Sequence, residues 1–335
     1  MKAFQIQNAF GFDSLRLVDL PAPQPGPGQV LLRMRALSLN FRDLMVVKGI
    51  YNPHIPLPRI PVSDGVGEVV EVGPGASRVR VGQRVAGIFM PGWVEGEPDA
   101  AKGQTDLGGT IDGLAAEYVV LHERGVVEVP EHLSDEAAAS LPCAAVTAWN
   151  ALVNSGRLTA GESVLILGTG GVALFALQFA KLHGARVIIT SSSDDKLARA
   201  RDLGADEGIN YTTTPGWEHR VLELTGGRGV DHVIELGGAG TLGQSLQSVR
   251  IGGHVALIGV LTGAGQANPL PVLMRSIRLQ GIFVGSRVMF EAMNRAIALH
   301  KLEPVVDRVF PFDELPQALR YMEQGKHFGK IGLRF

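Results

Sequence analysis

Two hydrophobic rhythms divide the chain. Over residues 1–126, apolar side chains recur in short alternating or wholly apolar runs, at 30–36, 67–72, 84–89 and 116–121. Runs of this length and composition predict β-strands. Proline- and glycine-rich stretches at 21–28, 53–61 and 73–75 punctuate them as turns. One helical pattern, 41–48, interrupts the series. With no helix–strand alternation, this portion is expected to be mainly antiparallel β. The texture changes at Leu133-Ser134-Asp135-Glu136, where Ser134 is placed to cap a helix and the two acids favour its amino end. The Ala-rich helix that follows contains Pro142, which should break or kink it.

Beyond that point strands and helices alternate. Strands are predicted at 164–168, 186–191, 208–211, 231–236, 254–259 and 279–284, and helices at 171–183 and 194–203 with further helical stretches between. Gly204 and Gly226 are placed as C-terminal caps, and Pro215 as a first-turn proline. Six strands alternating with helices predict an α/β fold with a doubly wound parallel sheet of the Rossmann type. Residues 286–335 add an amphipathic helix at 290–300, a short β/α piece and a final strand at 330–335.

The first βα unit carries the chemistry. It reads Val164-Leu-Ile-Leu-Gly168-Thr-Gly170-Gly171-Val172-Ala173. This is the G-x-G-x-x-A form of the dinucleotide fingerprint, preceded by an apolar strand and followed by an apolar-faced helix. Gly168 permits the tight turn, Gly170 lets the backbone approach a pyrophosphate, and the small Ala173 allows helix and strand to pack closely. The phosphates would then rest on the helix amino terminus. Downstream, an NAD site normally presents Asp or Glu to the ribose hydroxyls. This chain has Thr190-Ser191-Ser192-Ser193 there, with Lys196 one turn later. Hydroxyls and a lysine accept a 2′-phosphate, and the missing acid removes a repulsion against it. The residues therefore favour NADPH over NADH. Ser193 also reads as a cap for the next helix.

Composition narrows the rest. At 335 residues two domains are expected, and a net charge of −2 offers no basic surface for nucleic acid. A single cysteine, Cys143, rules out a disulfide framework and fits a reducing, cytoplasmic setting. The first residues, Met1-Lys2-Ala3-Phe4-Gln5, lack the continuous apolar stretch of a signal peptide, and the longest apolar run, 163–180, is interrupted by glycines as a buried strand and helix would be, so no membrane association is expected. One cysteine cannot build a four-Cys zinc site, and the nine histidines are scattered singly, so no metal is expected. Cys143, on the apolar helix around Pro142, reads as a core residue rather than a nucleophile.

Taken in order, several stretches resemble the medium-chain dehydrogenase/reductase superfamily over nearly the whole chain, and within it the zinc-free quinone oxidoreductase branch. They are Pro25-Gly-Pro-Gly-Gln-Val30, Ser38-Leu-Asn-Phe-Arg-Asp43, Pro61-Val-Ser-Asp-Gly-Val-Gly-Glu-Val-Val70, Val81-Gly-Gln-Arg-Val85 and Gly113-Leu-Ala-Ala-Glu-Tyr118, then the 168–173 turn, Leu203-Gly-Ala205 and His327-Phe-Gly-Lys330. The superfamily's zinc enzymes carry Cys where this chain has Asn40, and Gly-His-Glu where it reads Ser63-Asp64-Gly65. They also carry a four-Cys lobe where this chain has the cysteine-free stretch 91–110. The resemblance implies a GroES-like catalytic domain over 1–126, completed by 286–335, and a Rossmann domain over 127–285 with a cleft between them. It also implies a homodimer through the edge strand at 277–284.

Carried over by position, Asn40 is expected near the nicotinamide ribose and substrate, and Thr147 beside the nicotinamide. Lys196 and Tyr211 resemble 2′-phosphate contacts. Gly259 and Val260 are expected to end the fifth strand under the nicotinamide, and Val284, Gly285, Phe328, Gly329 and Lys330 resemble further cofactor contacts. From the residues alone, Thr147 equally reads as helix packing, Tyr211 as a strand aromatic and Gly259 as a turn.

Without a Lewis acid an alkoxide is poorly stabilised, so hydride delivery to a quinone or an α,β-unsaturated carbonyl is favoured over alcohol oxidation. Tyr51, where the branch often has a substrate-side tyrosine, is the candidate proton donor. Asp64 either enters the pocket or holds its loop through hydrogen bonds. An NADPH-binding sensor without turnover is the alternative from another class. A zinc alcohol dehydrogenase is the third, and the missing ligands argue against it.

Overall fold

The structure, a computed structural model, describes all residues from Met1 to Phe335. The chain opens with β1 (Lys2–Ile6), β2 (Leu15–Asp19), β3 (Gln29–Leu39), α1 (Phe41–Val47), β4 (Asp64–Val72) and β5 (Arg84–Gly87). Next come the one-turn α2 (Ala100–Gly103), β6 (Tyr118–His122), β7 (Val126–Glu128), α3 (Asp135–Ala139) and α4 (Val146–Trp149). Then follow β8 (Ser163–Ile166), α5 (Gly171–Leu182), β9 (Arg186–Ser191), α6 (Asp194–Asp202), β10 (Glu207–Asn210), α7 (Trp217–Leu224) and β11 (Val230–Glu235). The series continues through α8 (Ala239–Ser248), β12 (Val249–Leu257), α9 (Leu270–Met274) and β13 (Arg278–Gly281). It ends with α10 (Arg287–His300), β14 (Val306–Pro311), α11 (Leu315–Glu323) and β15 (Lys330–Arg334). No helix is long and apolar enough to cross a membrane.

Two compact units result, Met1–Val146 with Gly285–Phe335, and Thr147–Val284. In the first, a seven-stranded sheet runs β14-β15-β3-β4-β5-β7, with β6 also on β3 and a separate β1-β2 hairpin. All pairings are antiparallel except β14 with β15. The C-terminal β15 seats on β3, Ile331 opposite Leu39, so the returning segment belongs to this unit. The unit ends at Val146 rather than at 126, because α3 packs on β3, β4 and β15. Its buried Ala137, Ala138 and Ala139 allow that close approach.

The second unit is a six-stranded, wholly parallel sheet in the order β10-β9-β8-β11-β12-β13. Its central strands are buried along their length, as parallel strands covered by helices on both faces must be. At the edge, all four residues of β13 are exposed.

Several local signals hold. Ser134 Oγ accepts from Ala137 N at 3.2 Å, Ser193 Oγ from Lys196 N at 3.4 Å, and Gly204 and Gly226 follow α6 and α7 with positive φ. Others shift. Pro215 lies outside α7, whose cap is Gly216. Pro142 neither breaks nor ends the helical run; the chain widens into a π-helical segment, Leu141–Ala145, which absorbs a residue without a donor. The strand predicted to reach 259 ends at Leu257, and the one predicted over 279–284 ends at Gly281.

Parallel pairing of β11 and β12 sets His232 beside His254, which sequence spacing left unpaired. Both are buried, His232 Nε2 lies 3.0 Å from Glu162 Oε2, the two Nδ1 atoms are 3.4 Å apart, and His254 Nε2 is 3.2 Å from Ser155 Oγ. A carboxylate only accepts, so His232 donates from Nε2 and accepts at Nδ1 from His254, which in turn accepts from Ser155. Burial, then His232 and Arg278 nearby, hold the His254 pKa down to about 4. A histidine held neutral in the fold contributes stability that is complete above its unfolded pKa and is lost as pH falls from there through the folded value. Relative to a His254→Asn variant, the native protein is expected to lose about 3 kcal/mol between roughly pH 6.5 and 4. Denaturant midpoints measured across that range test this, and parallel curves for the two proteins would refute it.

Candidate functional site

In the second unit the predicted cofactor residues gather at the carboxyl edge of the sheet. After β8 the chain turns at Gly168, with φ 79°, and its N–H donates to Thr190 Oγ1 of β9 at 3.2 Å. Gly170 caps α5 with φ −80° and ψ −173°, a conformation any residue adopts. A Cβ at Gly170 would meet nothing within 4 Å. Neither the backbone angles at 170 nor the surrounding protein atoms require glycine there. No side chain caps α5, so the first N–H groups of this twelve-residue helix have no side-chain partner. Ala173 is fully buried and allows the helix to sit close to the sheet. Gly171 and Val172 form the partly exposed first turn.

At the end of β9, Ser191 is buried and its Oγ accepts from Ser193 N at 3.3 Å. Ser192 is exposed and Lys196 half-buried. Tyr211, 42% exposed, follows β10 and donates its N–H to Ser191 O at 3.0 Å. Ser192, Lys196 and Tyr211 thus share one corner of the edge. Asp194 and Asp195 occupy the first turn of α6, and Asp194 accepts from Asn210 Nδ2 at 2.9 Å.

Gly259 and Val260 lie in the loop past β12, not at its end; a Cβ at Gly259 would fall 1.8 Å from Leu236 O, so glycine there serves packing. Thr147 is buried on α4. Val284, in the left-handed region at φ 57°, accepts from Asn150 Nδ2 at 2.7 Å. Sequence reasoning passed over Glu235. Fully buried at the end of β11, it accepts from Gly237 N at 2.7 Å, Gly238 N at 2.9 Å and Thr241 Oγ1 at 2.6 Å, and also from Ser245 Oγ, shaping that loop.

In the first unit, Asn40, Asp64 and Lys330 converge on one buried cluster. Asn40 caps α1, and its capping box with Asp43 sets the backbone. Lys330 Nζ donates to Asn40 Oδ1 and to Leu39 O, both at 2.6 Å, and Asn40 Nδ2 donates to Ser63 Oγ at 3.3 Å. Ser63 Oγ donates to Asp64 Oδ1 at 2.7 Å, and Cys143 N donates to Asp64 Oδ2 at 3.0 Å. Both Asp64 oxygens thus accept a hydrogen bond from within the protein. Val62, buried and left-handed at φ 73°, delivers the chain to Ser63; for a β-branched residue this is strained backbone. Gly285 and Phe328 are buried in the same unit.

Burial pushes the Asp43 carboxyl up to about 6 against the attraction of Arg42. Burial likewise raises Asp64, against Lys330. The Cys143 thiol is pushed upward by burial and by Asp64 beside it, which suits a packing residue and not a nucleophile. No three His, Cys, Asp or Glu side chains are grouped to hold a metal ion.

Two family models match, an alcohol dehydrogenase GroES-like domain over residues 26–131 and a zinc-binding dehydrogenase over 171–299. A zinc-type alcohol dehydrogenase-like protein of Schizosaccharomyces pombe is 43% identical, over 97% of this chain and 96% of its own. The chain belongs to the medium-chain dehydrogenase/reductase superfamily. Among solved members, a putative alcohol dehydrogenase of Sinorhizobium meliloti superposes with a TM-score of 0.93 at 42% identity, covering 100% of this chain and 98% of that one. A mycobacterial protein complexed with NADPH is 30% identical with a TM-score of 0.84, each chain fully covered. The quinone oxidoreductase of Coxiella burnetii is 29% identical with a TM-score of 0.81, covering 100% and 99%. In this member of the superfamily, Asn40, Lys330 and Asp64 bring an amide, an ammonium and a carboxylate into one cluster, the ammonium bonded to the amide and the amide linked to the carboxylate through Ser63.

Proposed function

We propose that this protein is a zinc-independent, NADPH-dependent oxidoreductase acting on a quinone or an α,β-unsaturated carbonyl. The observation that carries the reading is the donor set around Asn40. An ammonium sits on the amide, and no neighbouring trio of thiolate, imidazole or carboxylate is free to bind zinc. With no metal to stabilise an alkoxide, acceptors whose charge delocalises are favoured, since they need only a hydride and a proton. The dinucleotide would be held by the Gly168–Gly170 turn and the α5 amino terminus, with Ser192, Lys196 and Tyr211 at its 2′-phosphate. When bound it supplies the hydride. Tyr51, half-buried beside α1, is the proton donor.

A second cofactor, NADH, is favoured by one feature, the acidic pair Asp194 and Asp195 in the first turn of α6. Dissociation constants decide between them. Lys196→Ala is expected to weaken NADPH about tenfold, the loss of one charged phosphate contact, and to leave NADH unchanged. Equal loss for both would remove Lys196 from the 2′-phosphate. Absorbance at the reduced-nicotinamide band, followed with a panel of quinones and enones in the presence of a chelator, tests the reaction. Tight NADPH binding without oxidation of NADPH across the panel would make the protein a sensor instead.

A further inference from the structure

A cation beside Tyr51 is left unused by this reading. The side chain of Arg42 is only 10% exposed, is ion-paired to Asp106, lies 3.6 Å from Asp43 Oδ1 and donates from Nη1 to Leu107 O at 2.6 Å. Asp106 is itself pinned by Thr110 N at 3.2 Å and by the Thr110 hydroxyl. The guanidinium is therefore locked from one side. On the other it faces two rings, its centre 5.0 Å from the Tyr51 centroid and 4.9 Å from that of Phe89.

An ion pair that served folding alone would need Asp106 and the Leu107 carbonyl, not a phenol. The chain also takes trouble to bring Tyr51 here. Gly49, at φ 72°, turns the segment after α1, and a Cβ there would strike the Phe10 ring at 2.6 Å. Tyr51 N then donates to Met45 O at 3.3 Å, holding the backbone of the segment against the end of α1. Burial resists ionisation of this phenol, and of the groups facing it Arg42 favours the phenolate while Asp106 and Cys143 oppose it.

We propose that Arg42 is a positioning residue for proton transfer: its locked guanidinium orients the Tyr51 phenol and stabilises the phenolate left when Tyr51 gives up its proton. The inference rests on the oxidoreductase reading above. The acceptor gains the hydride's electron pair, supplied by the reduced nicotinamide, together with the Tyr51 proton. The Oη–H bond breaks as an O–H bond forms on the acceptor, and water returns a proton to the phenolate. An opposite charge at this separation lowers a pKa by about one to three units relative to the same site without it.

Only four tyrosines are present, so the Tyr51 titration is read by ultraviolet tyrosinate difference against Tyr51→Phe. In Arg42→Gln the Tyr51 midpoint is expected to rise by about one pH unit, a tenfold change in proton affinity. The alkaline limb of kcat should move up with it, and KM should change little. Arg42→Lys, which keeps the charge, should hold both near the native values. Should Arg42→Gln fail to fold, Asp106→Asn replaces it; removing the opposing anion should lower the Tyr51 midpoint. An active native enzyme whose Tyr51 titration ignores these substitutions overturns the proposal alone. A native enzyme that turns over no acceptor overturns the oxidoreductase reading, and a purely structural Arg42 would move stability without moving either pH curve.

Discussion

Gly170→Ala is expected to leave the protein folded with its thermal midpoint nearly unchanged, while weakening NADPH binding about 100-fold, close to 2.7 kcal/mol. The backbone at 170 already has angles that alanine adopts, and the added methyl meets no protein atom. Exchanging glycine for alanine at a helix N-cap costs no more than about 1 kcal/mol of stability. The methyl would instead occupy the space a pyrophosphate needs to reach the amino terminus of α5. Gly168→Ala makes the control, since φ 79° there imposes strain on any side chain and should lower stability by about 1–2 kcal/mol. Calorimetric titration with NADPH beside thermal unfolding of both variants separates the two effects. Full NADPH affinity in Gly170→Ala would mean that the dinucleotide does not lie against this turn.

The second large effect is expected at Lys330, which combines burial with two hydrogen bonds at its ammonium. Lys330→Met strands the Leu39 carbonyl and the Asn40 amide oxygen and takes the nearby cation away from Asp64. Removing one member of a buried charge arrangement costs about 3–5 kcal/mol. Asp64 is already raised by burial, with Lys330 the first of the influences that oppose it. Without Lys330 its folded pKa should rise further. A carboxyl raised in the fold contributes stability below its unfolded pKa and loses it as pH climbs through the folded value. The deficit of Lys330→Met should therefore widen from acid toward neutral pH, and adding Asp64→Asn should recover part of it. Urea denaturation of the two single variants and the double variant at several pH values tests this. A deficit that is flat with pH and additive with Asp64→Asn would show that lost hydrogen bonds, not charge, dominate.

Much of the fold was legible because its signals are local. The Ser134 and Ser193 caps, the glycines after α6 and α7 and the 168–173 turn each depend on residues within a few positions of one another. The long apolar strands of the parallel sheet announce themselves because both faces are covered. Errors fell where tertiary packing overrode a local preference. The chain runs through Pro142 by widening its helical turn, and α3 joins the first unit because its alanines pack on the first sheet. Asp64 was legible as a replaced ligand position, while the two donors that reach it come from packing that no local pattern encodes.

What the sequence determines by itself is the period of each half, the chemistry of the dinucleotide turn and the scarcity of metal-binding residues. These follow from side-chain identity and spacing along a few turns of chain. The tertiary structure alone decided which distant groups share a charge. Lys330 and Asn40 are 290 positions apart, and only the register of β15 on β3 brings ammonium to amide. His232 and His254 meet through the pairing of β11 with β12, and Arg42 meets Asp106 across 64 residues. Pairings of this kind are fixed by sheet register and by which surfaces must be buried together, and no local pattern encodes either.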